Sequence, residues 1–164
     1  MTENQSLKGR LAAKSRRTTL VPIQVSDPGT ARETYEQAEQ AYLIQRVAEA
    51  SDASTAKDVA AAKRARDKAK AALREHFVDV EFAAGDPADV ERVLAAHTDK
   101  DGGWSLTALP ELAALCASDK ELQDADWWTE QLDGGTWSTG ERRDLWLQLL
   151  GLNIDLPSEG LPKD

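Results

Sequence analysis

Groups that carry chemistry are scarce in this chain. It holds one cysteine, Cys116, and two histidines, His76 and His97, among 164 residues. A lone thiol excludes an internal disulfide framework and fits a reducing, cytosolic setting equally well. Zinc needs several His, Cys or carboxylate ligands converging at close spacing. His76, His97 and Cys116 stand about 20 residues apart on different elements, so no metal is expected. His97 reads as a structural histidine near a helix C-terminus, where a charged or hydrogen-bonded ring is favourable. A phosphate loop and a dinucleotide fingerprint are both missing. Cys116 falls within a leucine stripe, where its thiolate is disfavoured. "DKDGGW" (99–104) lacks the sixth-position glycine and distal glutamate of a calcium loop and reads as a turn. Carboxylates are so frequent that chance pairs carry no signal. The expectation is no enzyme: no catalytic residue, no metal ligand and no cofactor.

Long apolar runs are missing too. No segment approaches the roughly 20 residues that cross a bilayer. "MTENQSLKGRLAAKSRR" has bases but no apolar stretch behind them, so no secretory signal is expected.

What the chain has in abundance is acid, unevenly placed. Net charge is −9. Residues 1–17 carry five bases against Glu3, and residues 55–75 seven bases against three acids. Residues 76–164 carry 19 acids against six bases. Such a body repels nucleic acid and anionic lipid, so neither is an expected partner. The basic leader, 1–17, lacks hydrophobic periodicity and is expected to be disordered and solvated.

"TTLVPIQV" (18–25) reads as an edge strand with Val21, Ile23 and Val25 on one face, because Pro22 has no amide proton for a ladder. "DPG" (27–29) is a turn. Two helices follow, about 30–50 and 56–75. The first has a narrow seam of Ala31, Tyr35, Ala38 and Tyr42. The second offers Ala56, Val59, Ala62, Ala65, Ala69 and Ala72 or Leu73. "SDAST" (51–55) separates them. Matched length, small seams and opposite net charge predict an antiparallel helical hairpin. "HFVDVEFAAG" (76–85) alternates Val78, Val80 and Phe82 against Asp79 and Glu81, a half-buried strand that can pair with 18–25.

A two-stranded ribbon is marginal alone and needs helices on one face. Four short helices are expected to supply them. The first starts at Asp86–Pro87, and Val90, Val93, Leu94 and His97 line one face of it. The second shows Leu106, Leu109, Leu112, Ala113 and Cys116. The third runs from Asp124 to Gly134–Gly135, and the last opens with the capping box Ser138–Glu141. The fold class is therefore α+β, mostly α: a small antiparallel ribbon brackets a long helical hairpin (18–85), and a helical domain follows (86–153). Residues 154–164 read as a flexible tail.

Four of five tryptophans crowd into residues 124–153. Ala125, Trp128 and Leu132 form an inward stripe on the third helix. Leu145, Trp146, Leu149, Leu150 and Leu152 share one face of the fourth. Trp104 and Trp137 follow turns and are expected to clamp loops on the core. Trp127, about 100° from Trp128 on the helix, and Leu147, opposite the leucine face, fit neither stripe. Exposed, they would offer a contact for a hydrophobic partner. The bland alternative is that both helices are covered on both sides by the ribbon and the hairpin.

Taken in order, these segments resemble the tail assembly chaperone family of long-tailed phages and prophages of actinobacteria. The similarity runs over about residues 17–163: "TTLVPIQV", the Glu/Ala-rich hairpin, "HFVDVEFAAG", "DPADVERVLAAHT", "GGWSLTALPELAALCASDKELQDADW", "LWLQLLGLN" and a tail with "LPK". Order and spacing carry the resemblance. It implies a non-enzymatic protein that coats the apolar tape measure protein until tail tube subunits polymerise around it. The implied partners are the tape measure protein, with the tail tube protein and other chaperone copies as further contacts. The implied setting is the host cytoplasm, with absence from the mature virion. A minor structural component of the tail is the alternative. A mimic of DNA is a third class, and the scattering of acids among tryptophan and leucine speaks against it.

Overall fold

The computed structural model describes residues 6–154. It is α+β and mostly helical, with seven α-helices among the described residues and one two-stranded antiparallel sheet. The elements run α1 (Leu7–Ala12), β1 (Thr18–Gln24), α2 (Gly29–Ala50), α3 (Ala56–Arg74), β2 (Phe77–Ala83), α4 (Pro87–Ala96), α5 (Leu109–Cys116), α6 (Ala125–Asp133) and α7 (Thr139–Asn153). Short 3₁₀ turns at Leu106–Ala108 and Lys120–Leu122 precede α5 and α6.

Two compact units divide the chain, and the boundary crosses the ribbon. Residues 22–79 form one unit; the chain up to Val21 and from Val80 onward forms the other. The expected division at residues 85 and 86 therefore shifts. Each strand is divided between the units, and the buried Val21 and Phe82 both fall in the unit that holds the later helices.

In the hairpin unit α2 packs chiefly on α3. Ala31, Tyr35, Ala38 and Tyr42 are all half-buried along α2, as their spacing predicts. On α3 the seam is Val59, Ala62, Arg66, Ala69 and Leu73, with Ala69 buried. This corrects the expected alanine stripe: Ala56, Ala65 and Ala72 are exposed, and Arg66 takes an inward place. The guanidinium lies 4.2 Å from the Tyr42 ring centroid, a cation–π contact that also buries the arginine stem. Between the helices Asp52 adopts a φ of 57°, and Thr55 and Asp58 form a reciprocal capping box that starts α3. Where the hairpin closes, Val25 N–H donates to His76 O at 2.9 Å, and Arg74 pairs with Asp79. Val25 and Val78 are exposed, at 60% and 51%, so the apolar face expected along both strands is buried only around Val21 and Phe82.

The other unit holds the core. Phe82, Leu109, Leu112, Leu145, Leu149, Cys116 and Trp128 are its largest fully buried side chains. Asp86 caps α4 by accepting from Ala88 N–H, with Pro87 at the first helical position. Val90, Val93 and Leu94 are buried from α4, and Leu109, Leu112, Ala113 and Cys116 from α5. After α5 the chain runs beside β2: Phe82 and Ala117 form an antiparallel bridge, and Ser118 N–H donates to Glu81 O at 3.0 Å. Ser138 and Glu141 form the expected capping box of α7.

The leader departs from expectation over its described part. Leu7–Ala12 are helical, started by Ser6 Oγ accepting from Gly9 N–H at 3.1 Å, although no α1 residue is buried. Arg17 O accepts from Ala84 N–H at 2.8 Å, which fixes the residues just before β1. Residues 1–5 of the leader and 155–164 of the expected tail lie outside the described residues.

Candidate functional site

The aromatic cluster around α6 grows from one capped helix start. Asp124 Oδ1 accepts from the N–H groups of Asp126 and Trp127 at 3.0 and 3.1 Å. That cap fixes the helix phase, and the phase sends consecutive indoles to different places. Trp128 goes inward: it is 1% exposed, and its Nε1–H donates to Leu122 O at 2.8 Å. A buried indole N–H without an acceptor is costly, so this bond belongs to the fold. Phe82 lies 6.2 Å from Trp128 and Trp137 6.3 Å, centroid to centroid. Trp137 is half-buried and closes the loop before α7, as expected.

Trp127 packs edge-on against Trp128, centroids 5.1 Å apart and planes at 81°, and remains 38% exposed. Leu147 on α7 is 54% exposed, whereas Leu145, Trp146, Leu149 and Leu152 of the same helix are buried. Both off-stripe residues thus reach the surface of this unit. They stand on separate helices, α6 packing chiefly on α5. Neither lines the unit's groove.

Trp104 corrects an expectation. It does not clamp its loop onto the core; its ring is 50% exposed. The loop is held without it: Asp99 Oδ1 accepts from Asp101 and Gly103 N–H groups at 3.0 and 2.7 Å, and Thr98 bridges Trp104 through the backbone. Gly102 takes a φ of +80° there, which a glycine adopts without strain. "DKDGGW" is therefore a self-closed turn with the Asp99 carboxylate occupied by backbone.

Trp104 instead borders an open groove of about 820 Å³. Val90, Leu94, Leu152 and Ile154 line it from α4 and the end of α7, while Lys14, Arg16 and Arg17 line it from the segment before β1. Arg16 is steadied there by Asp86 at 3.8 Å and the Ala84 carbonyl at 3.5 Å. Local periodicity could not reveal this site, since the leader reaches it through a bond 67 residues away in sequence, Arg17 to Ala84.

The remaining reactive groups are engaged structurally. His97 contacts Thr107 Oγ1 through Nδ1 at 3.1 Å and Glu111 Oε1 through Nε2 at 2.8 Å. The Cys116 thiol is 1% exposed, and burial pushes its pKa up, with the Asn153 amide bond only partly opposing. Among the described residues no three His, Cys, Asp or Glu side chains converge as a metal site. No described helix is long and apolar enough to cross a membrane.

A second exposed apolar set, on the hairpin, was not among the expected sites. Leu43, Ile44 and Val47, on the outer side of α2, are 53%, 58% and 73% exposed. Their helical phase, off the Tyr42 seam, is the sequence signal that marks them. No protein-family model, curated protein or solved structure matches the chain.

Proposed function

We propose that this protein is a non-enzymatic tail assembly chaperone that binds the tape measure protein and keeps it soluble during tail assembly. One observation carries the reading: Trp127 and Leu147 present large apolar side chains on the surface of a strongly acidic helical unit. Acidity keeps such a body from associating with itself, while exposed indole and leucine give an apolar helix something to bury against. The ordered resemblance over residues 17–163 supplies the client. Tail tube protein and further copies of the chaperone are secondary contacts, the latter through the charged hairpin. Nucleic acid and membrane are not partners in this reading, and the protein acts in the host cytoplasm.

Co-expression tests it. The tape measure protein of the same phage should stay soluble and co-purify with the wild-type chain. With Trp127→Ser combined with Leu147→Ser it should precipitate; full retention by the double variant rejects this contact. Mass spectrometry of purified particles separates the chaperone from a minor tail component, because the chaperone should be absent from them.

A further inference from the structure

The groove beside Trp104 reverses the sign of its surroundings. Residues 76–164 carry 19 acids against six bases, yet Lys14, Arg16 and Arg17 line this groove, with Glu91 beside them and Asp86 paired to Arg16. Its apolar lining is partly open to water, Trp104 at 50% and Ile154 at 38%. Lys14 makes no ion pair among the described residues.

We propose that this groove binds an acidic amphipathic segment of a partner protein. Its apolar side chains would lie against Trp104, Leu94 and Ile154, and its carboxylates would face Lys14, with Arg16 already held by Asp86. Charge complementarity selects this occupant. A polyanion such as nucleic acid gains the local positive charge but meets the repulsion of the whole acidic body. An uncharged apolar peptide would leave the basic rim unused. A short acidic segment gains both contacts and has little charge to be repelled. This inference is independent of the chaperone reading, since the groove shares no residue with Trp127 or Leu147.

The test uses the full chain and a fluorescein-labelled amphipathic peptide of about 15 residues, leucines at helical spacing with glutamates flanking them. Anisotropy should show binding that Lys14→Glu weakens by about tenfold and Trp104→Ala by about tenfold or more. Ile154→Ser should weaken it independently, which keeps the result readable if the Trp104 loop shifts. Lys68→Glu, at an exposed position of α3, makes the same charge change and should alter affinity less than about twofold. Equal binding of a peptide with lysines for glutamates, or serines for leucines, overturns the proposal. So does binding that the groove variants leave unchanged. Strong binding gained only in Leu156→Ser with Leu161→Ser would mean that the chain's own residues occupy the groove. A dimer in sedimentation that Lys14→Glu dissociates would mean that a second copy does. Either result also overturns it.

Discussion

Asn153 Oδ1 accepts a hydrogen bond from the backbone N–H of Gly85 at 2.8 Å, tying the end of α7 to the residue that leaves the ribbon. The same amide donates through Nδ2 to Leu149 O at 2.8 Å and lies 3.3 Å from Cys116 Sγ. Gly85 must approach closely, since a Cβ there would lie 2.8 Å from Val90 Cγ2. Asn153→Ala leaves the Gly85 N–H without this partner and should cost about 1–3 kcal/mol in denaturant unfolding. An unchanged midpoint would show that this bond does not support the fold.

Neighbouring indoles should differ sharply when removed. Trp128→Ala empties a buried site beside Phe82 and should cost about 3–5 kcal/mol. Trp127→Ser forfeits partial burial and one edge-on ring contact, about 0.5–1.5 kcal/mol for the contact itself. Equal losses in thermal or urea melts would contradict the inward and outward assignment. A folded Trp127 variant also makes the binding tests readable.

The Asp58 carboxylate accepts from Thr55 Oγ1 at 2.6 Å and Thr55 N–H at 3.1 Å, and these bonds hold its pKa below the ordinary aspartate value. A lowered folded pKa means stability that is present above the unfolded pKa and lost as pH falls through the folded one. Carboxyl NMR should give Asp58 a lower midpoint in the wild type than in Thr55→Ala. Coincident midpoints would remove the capping box as the cause.

Burial should make the Cys116 thiol inert. Iodoacetamide at pH 8 should modify it far more slowly in the folded chain than in urea, because desolvation opposes the thiolate. Asn153→Ala, which removes the opposing hydrogen bond, should not speed the reaction beyond what its lost stability explains. Rapid modification of the native chain would place Cys116 at the surface.

Local signals were legible wherever one element decided the outcome. The Tyr35 and Tyr42 seam, the Asp86–Pro87 start and the Ser138–Glu141 box follow from helical spacing and capping chemistry, and the structure shows each. The separation of Trp127 from Trp128 was legible for the same reason. Signals failed where distant segments meet. Arg66 displaces alanine in the α3 seam because an aromatic ring on α2 faces it. Lys14 to Arg17 gain a fixed place through Ala84, and Trp104 stays exposed because Asp99 closes its loop from within.

The central claim is that the surface at Trp127 and Leu147 contacts an apolar client. Photo-cross-linking tests it most directly, with benzoylphenylalanine placed at position 127 or 147 and the tape measure protein co-expressed. Both positions should yield an adduct with that protein, and the same photoprobe at the exposed Lys68, on α3, should not. A soluble complex that gives no adduct from position 127 or 147 would contradict the account.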